Sequence, residues 1–178
     1  MNYRKLVGEK VYLSPVSTRD WQLYDKWAAD YETAFLSRGG DDFVRPPAVD
    51  SSSLENRAKN KNTFSIVDKA TDNTIGHCGF NFEDIANRYA KIGIIIGEKD
   101  YWSNGYGTDA MRLMLDFGFN VRGYNNISLN VYEYNERAIA CYEKLGFKLQ
   151  GTWRERLICG QKRYNCLHFD MLASEYFG

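Results

Sequence analysis

With 178 residues and 44% apolar content, the chain is long enough for one packed domain and too apolar for disorder. Basic and acidic side chains balance at 23 each, so no charge excess points to nucleic acid or to an anionic membrane. No run approaches the ~20 apolar residues of a membrane span, and the start, Met1-Asn2-Tyr3-Arg4-Lys5, lacks an apolar signal core. The cysteines Cys78, Cys141, Cys159 and Cys166 form no CxxC pair and have no histidine at zinc spacing. No metal is expected, and they read as reduced thiols of a cytoplasmic protein. One domain over residues 1–178 is expected, with no repeat or linker.

Val11-Tyr12-Leu13 reads as the first strand, closed by Pro15. Ser17-Thr18-Arg19-Asp20 then looks like a helix start, followed by Trp21, Tyr24, Trp27 and Ala28 at helical spacing. The stretch Ser37–Pro47 holds Gly39-Gly40 and Pro46-Pro47, which mark a loop, and Ser53–Asn60 reads as a short polar helix. Phe64–Val67 and Ile75–Phe82 form a hairpin around the polar turn Asp68–Thr74. Ala90–Ile96 is a continuous apolar run, as expected of a strand buried on both faces.

Residues 105–120 have helical period, with Asp109, Arg112, Asp116 and Asn120 on a polar face and Met111, Met114, Leu115 and Gly118 on an apolar one. Asn126–Val131 is a strand. Asn135–Leu145 is a second helix with Ala138, Cys141, Tyr142 and Leu145 on one stripe, and Gly146 caps it. Strands near Lys148–Ile158 and Arg163–Met171 meet at Gly160-Gln161. Strand–helix units alternate with hairpins, so a mixed sheet is expected.

Chemistry concentrates in Ile92–Phe147. Gly105-Tyr106-Gly107-Thr108 stands at the mouth of the helix, where glycines permit a tight turn and close ligand approach. N–H groups at a helix start bind phosphate oxygens, and the helix dipole favours the anion. Alone, a Gly-x-Gly is equally a plain tight entry to a helix. Gly105–Ala110 also fits the dinucleotide fingerprint G-x-G-x-x-A, with Glu133 beyond the next strand. Against that, the residues Gly97–Asn104 separate strand from glycine, where the fingerprint has almost none. No Gly-Lys-Ser/Thr follows, so a P-loop is excluded.

Gly97–Ala110 resembles the acetyl-CoA motif of GNAT-type N-acetyltransferases, Arg/Gln-x-x-Gly-x-Gly/Ala, with Trp102 in the Arg/Gln position. The likeness is strongest to the branch acting on ribosomal-protein N-termini and polyamines. Asn135–Phe147 resembles the second family block, N-x-x-A-x-x-x-Y-x-x-x-G-F. Both blocks in order, across a strand, extend the resemblance from about Gly8 to about Met171.

The resemblance implies an α/β (α+β) GNAT fold: a mixed central sheet of about 6–7 strands flanked by about 4 helices, with two splayed central parallel strands. It implies acetyl-CoA as co-substrate. The pantetheine arm would pair with backbone of Ile94, Ile95 and Ile96 and lie beside Asn130. The phosphates would sit on backbone N–H groups of Trp102, Ser103, Asn104, Gly105, Tyr106, Gly107 and Thr108. Asn135 would contact the arm, a role compatible with a plain helix N-cap. Tyr142 would protonate the departing sulfur, whereas without the motif it is one more aromatic on a buried stripe.

Many relatives carry a glutamate on the central strand where this chain has Lys91, so the general base is open. Glu98 acting through a water is the candidate, against a plain loop acid. His77 and His168 read as satisfied strand histidines. Asp41-Asp42 and Glu83-Asp84 would suit a cationic acceptor or be ordinary solvated acids. The expected partner is a small-molecule or peptide amine; dimers are common in the family. An idle CoA-binding sensor or scaffold and a dinucleotide-dependent dehydrogenase are the competing readings.

Overall fold

The computed structural model describes residues 2–39, 48 and 50–178. The expected loop at Ser37–Pro47, with Asp41 and Asp42, falls mostly outside them.

The strands are β1 Leu6–Val7, β2 Val11–Pro15, β3 Thr63–Asp68, β4 Thr74–Asp84, β5 Tyr89–Ile96, β6 Asn126–Tyr132, β7 Lys148–Cys159 and β8 Lys162–Leu172. The helices are α1 Trp21–Ala29, α2 Tyr31–Arg38, α3 Glu55–Lys59, α4 Tyr106–Asp116, α5 Glu136–Lys144 and α6 Ala173–Phe177. One mixed sheet runs in the order β1-β2-β3-β4-β5-β6-β8-β7. It holds eight strands rather than the expected 6–7, because the two-residue β1 is too short to leave a periodic signal. Backbone contacts divide the chain into two compact units: Met1–Gly79 with Ile94–Met114, and Phe80–Gly93 with Leu115–Gly178.

In the first unit, β2 pairs antiparallel with both β1 and β3. Val11, Tyr12, Leu13, Ile66, Val67 and Ile75 are completely buried there. The first helix starts as expected: Ser17 accepts from Arg19 N and opens a 3-10 turn at Thr18–Asp20 that runs into α1. It breaks at Asp30, whose extended backbone ends α1 while its carboxylate accepts from Thr33 N at 2.9 Å to cap α2. Ile94–Ile96 are half-buried, not covered on both faces as the apolar run implied.

In the second unit, β5 and β6 are parallel, with rungs at Tyr89–Lys91 against Asn126–Ser128. These rungs lie at the starts of both strands, as a splayed pair requires. β6 pairs along its whole length with antiparallel β8. Ile127, Leu129 and Val131 point into the core, alternating with the half-buried Asn126, Ser128, Asn130 and Tyr132. The helix expected over 105–120 is regular only to Asp116; Phe117–Val121 form a wider turn closed by Arg122 N on Phe117 O at 2.9 Å. Gly118 explains part of this: a Cβ there would lie 2.6 Å from Ile127 Cδ1 and 2.8 Å from Phe80 Cζ.

Candidate active site

The glycine-marked helix start is built in the first unit. Ser103 and Gly105 both have positive φ, 59° and 84°, so the chain reverses just before α4. Asp109 N is the first amide to close a helical bond, on Gly105 O at 3.0 Å. The N–H groups of Tyr106 and Gly107 lie ahead of it in the first turn, where an α-helix offers no intrahelical acceptor. A Cβ on Gly107 would meet only Ile96 Cγ1, at an ordinary 3.7 Å, so nothing inside the protein demands glycine there. That is the arrangement a phosphate cradle needs.

Three straps hold this seat. Asp109, assigned by helical period to the solvent face, is instead 6% exposed. Its carboxylate accepts from Glu9 N at 3.3 Å, Lys10 N at 2.8 Å and Val11 N at 3.0 Å, tying α4 to the turn between β1 and β2. That turn passes so close that a Cβ on Gly8 would lie 2.5 Å from Asp109 Oδ2. Lys10 Nζ donates to Asn104 O at 2.9 Å and stands 5.3 Å over the Tyr106 ring, which puts a cation on the loop. Trp102, in the Arg/Gln position, donates its indole N–H to Ile96 O at 2.7 Å and fastens the loop to the end of β5.

Glu98 lies in the same unit, but its carboxylate is engaged. Lys26 Nζ donates to both oxygens at 2.8 and 3.0 Å, and Trp27 Nε1 donates to Oε1 at 2.8 Å. Burial alone would raise its pKa; the Lys26 and Trp27 hydrogen bonds and the Lys26 charge outweigh it and hold the carboxyl below its ordinary range. A carboxylate held so firmly in its ionised form is a weak base, and the geometry does not favour it in that role. Trp27 lies flat on the backbone of Gly97, where a Cβ would fall 2.1 Å from Cδ2. Nearby, Tyr24, Asp25, Trp27, Ser53, Arg57 and His77 help line a cavity of about 250 Å³, with the His77 ring stacked on Tyr24 at 5.0 Å. Helical spacing placed Tyr24 and Trp27 on one helix and gave no hint of this cavity. Asp30 and Glu32 face Lys99 Nζ at 2.9 and 2.8 Å, so one of their two charges is countered.

The second unit carries the Asn135–Phe147 block. Asn135 Oδ1 accepts from Ala138 N at 3.2 Å, the N-cap of α5. Gly146, at φ 95°, ends the helix. Tyr142 is 8% exposed, its ring 6.0 Å from that of Phe147 in an edge arrangement. Burial first, and the neighbouring Cys141 second, push its phenol pKa well above the ordinary tyrosine value, so it keeps its proton at neutral pH. Asn130 joins Lys91 to His168 through its side-chain amide. Glu83 and Asp84 are not open acids: Glu83 takes Arg122 Nη2 at 3.0 Å and the Tyr124 hydroxyl, and Asp84 caps the turn at Asn87.

Residues 10–148 match the family model of the acetyltransferase (GNAT) domain, more than half of the chain. An uncharacterised N-acetyltransferase, p20, of Bacillus licheniformis is 33% identical over 130 residues, covering 73% of this chain and 71% of that protein. The spermidine N(1)-acetyltransferase of Escherichia coli is 36% identical over 91 residues, about half of each chain (51% and 48%). Among solved structures, spermidine N-acetyltransferase from Vibrio cholerae in complex with CoA and spermine superposes with a TM-score of 0.79 at 20% identity, covering 95% of this chain and 99% of that one. A GNAT-family acetyltransferase from Bacillus anthracis gives 0.77 at 17% identity, covering 96% and 99%. The chain therefore belongs to the GNAT acetyltransferase family, whose fold it shares. It is an acyltransferase that uses acetyl-CoA. The dinucleotide alternative falls with this, since β1–β2, β2–β3, β3–β4, β6–β8 and β7–β8 are antiparallel and only β5–β6 is parallel among the described pairings. Among the described residues no helix is long and apolar enough to cross a membrane.

Proposed function

We propose that the chain moves the acetyl group of acetyl-CoA to a primary amine, by direct transfer while donor and acceptor are both bound. The observation that carries this reading is the start of α4. Two glycines, a first turn of N–H groups and the Lys10 cation make a seat for a diphosphate, strapped by Asp109. Backbone N–H groups from Ser103 to Thr108 take the phosphates; that of Trp102, expected among them, is already given to Lys99 O at 2.9 Å. Backbone of Ile94–Ile96, with Asn135, takes the pantetheine arm; the Asn130 amide is already committed to Lys91, His168 and Leu129 O.

When bound, acetyl-CoA supplies an activated acetyl group. The acceptor must present a neutral nitrogen, which bonds to the acetyl carbon as the carbon–sulfur bond breaks. The nitrogen sheds one proton to water, and the Tyr142 phenol gives its proton to the sulfur and regains one from solvent. Tyr142 is protonated at neutral pH, as this step requires, while burial makes its phenol a weaker acid than an ordinary tyrosine. With Glu98 locked to Lys26 and Trp27, water is the more plausible acceptor of the amine proton.

Relatives named for spermidine acetylation support an amine acceptor. The test is thiol release from acetyl-CoA against a panel of polyamines, aminoglycosides, amino acids and N-terminal peptides. Release on at least one amine is expected. CoA binding without release on any of them would favour an idle CoA-binding module instead.

A further inference from the structure

The half-buried face of β6 in the second unit carries a hydrogen-bonded row that the donor chemistry does not use. Asn130 on β6 stands directly opposite His168 on β8, and Lys91 on β5 is registered with Ser128 on β6. An ammonium can only donate, so Asn130 turns its amide oxygen to Lys91 Nζ, at 2.6 Å. Its amide nitrogen then donates to His168 Nδ1 at 2.9 Å and to Leu129 O at 3.0 Å. An accepting Nδ1 bears no proton, so the neutral ring carries its proton on Nε2. Burial first and the Lys91 charge second hold the imidazole pKa below its ordinary value, which keeps the ring neutral. His168 is thus fixed as an N–H donor and is not free to act as a base. Nε2 is buried, and no acceptor among the described residues reaches it.

The surroundings are cationic and open on one side. A bulge in β7 between Leu149 and Gly151 sets Gly151 opposite His168, and a Cβ on Gly151 would meet nothing within 4 Å. The indole of Trp153, 53% exposed, lies against the His168 ring at 3.9 Å, with Arg156 5.8 Å over its far reaches. Burial raises the pKa of Cys166, and the charges of Lys91 and Arg156 both act against it. The acids of this region are engaged elsewhere. Asp170 takes Asn126 Nδ2 at 2.8 Å, Glu133 takes Asn165 N at 2.7 Å, and Glu155 pairs with Arg163 at 3.1 Å. Tyr89 and Ser128 satisfy each other at 2.5 Å.

We propose that this cluster binds a carboxylate of the acceptor: the amine acetylated by this chain carries a carboxylate, which Lys91 and, once the exposed Trp153 indole moves off the ring, His168 Nε2–H receive. It rests on the N-acetyltransferase reading and gives that reading a substrate class, an amino acid or other small amino acid-like amine. A polyamine offers this cluster no anion, and its charges would be repelled by Lys91.

The experiment compares matched acceptors on the full chain, with thiol release as readout: amino acids, the same compounds with the carboxylate capped as a primary amide, and spermidine. The carboxylate member should be favoured about tenfold or more in kcat/KM. Lys91→Met and His168→Phe should raise KM for it about tenfold with kcat little changed, and His168→Gln, which restores an N–H donor, should recover part of the loss. Equal turnover of acid and amide, or a preference for spermidine, would overturn the proposal while leaving the acetyltransferase reading intact. Absence of release on every amine would sink that reading instead. The proposal is then still read from the His168 Nε2–H nitrogen resonance as carboxylate amines are titrated into CoA-loaded protein, and an unmoved resonance overturns it.

Discussion

The two units secure their site residues in different ways. In the first, the donor seat is made of backbone, and side chains only strap it: Asp109 to the β1–β2 turn, Lys10 to Asn104, Trp102 to Ile96. In the second, side chains do the work themselves. Burial tunes Tyr142, and the Lys91–Asn130–His168 row fixes a ring in one tautomer. Backbone N–H groups bind any phosphate of suitable shape, so a seat built from them can recur across a family with many acceptors. A side-chain row such as Lys91–Asn130–His168 can change one residue at a time and can set what is acetylated.

The largest effect should come from cutting a strap. Asp109→Ala leaves the amides of Glu9, Lys10 and Val11 without their acceptor, and lost buried hydrogen bonds of this kind cost about 3 kcal/mol in all. Thermal unfolding should show that loss, and CoA affinity should fall with it as the start of α4 loosens. Wild-type stability in Asp109→Ala would mean that the strap is incidental. Next in size, Tyr142→Phe should lower kcat at least about tenfold while CoA affinity, measured by calorimetry, stays nearly unchanged. A loss confined to affinity would make the phenol a binding group and remove the contrast between the units.

How much of this was legible in the sequence follows from range. The β6–α5 segment obeys local rules: alternation in the strand, Asn135 as N-cap, one apolar stripe, and Gly146 in the left-handed region. The glycines at 105 and 107 were equally visible, because the conformation they permit is a property of their own backbone. Asp109 was misassigned to the solvent face because its partner Lys10 lies 99 residues earlier, and helical period says nothing about a turn that docks from elsewhere. Glu98 looked like a loop acid open to catalysis for the same reason, its partners Lys26 and Trp27 being 72 and 71 residues away. The mutual placing of Lys91, Asn130 and His168 needed strand register, which two parallel strands and one antiparallel partner set only in the folded sheet.

A smaller effect separates burial from hydrogen bonding as the means of tuning. Burial raises the pKa of Tyr24 and Tyr142 from 10.0 and of Cys78 from 9.0. The folded chain therefore holds these protons more tightly than the unfolded one. The stability they contribute is complete below about pH 9 and is lost as pH rises beyond it. Melting temperature should be level up to about pH 9 and decline above; a level curve through the ordinary range of tyrosine would mean that burial does not hold these protons.

Gly107→Ala bears most directly on the donor seat. Inside the protein the added methyl makes only ordinary contact with Ile96, and alanine favours a helix over glycine by about 1 kcal/mol, so the fold should be unharmed or slightly steadier. If the start of α4 is where the diphosphate of acetyl-CoA approaches the backbone, calorimetry on the folded variant should show CoA affinity reduced about tenfold or more. Wild-type CoA affinity in a folded Gly107→Ala would contradict the placing of the donor on this loop.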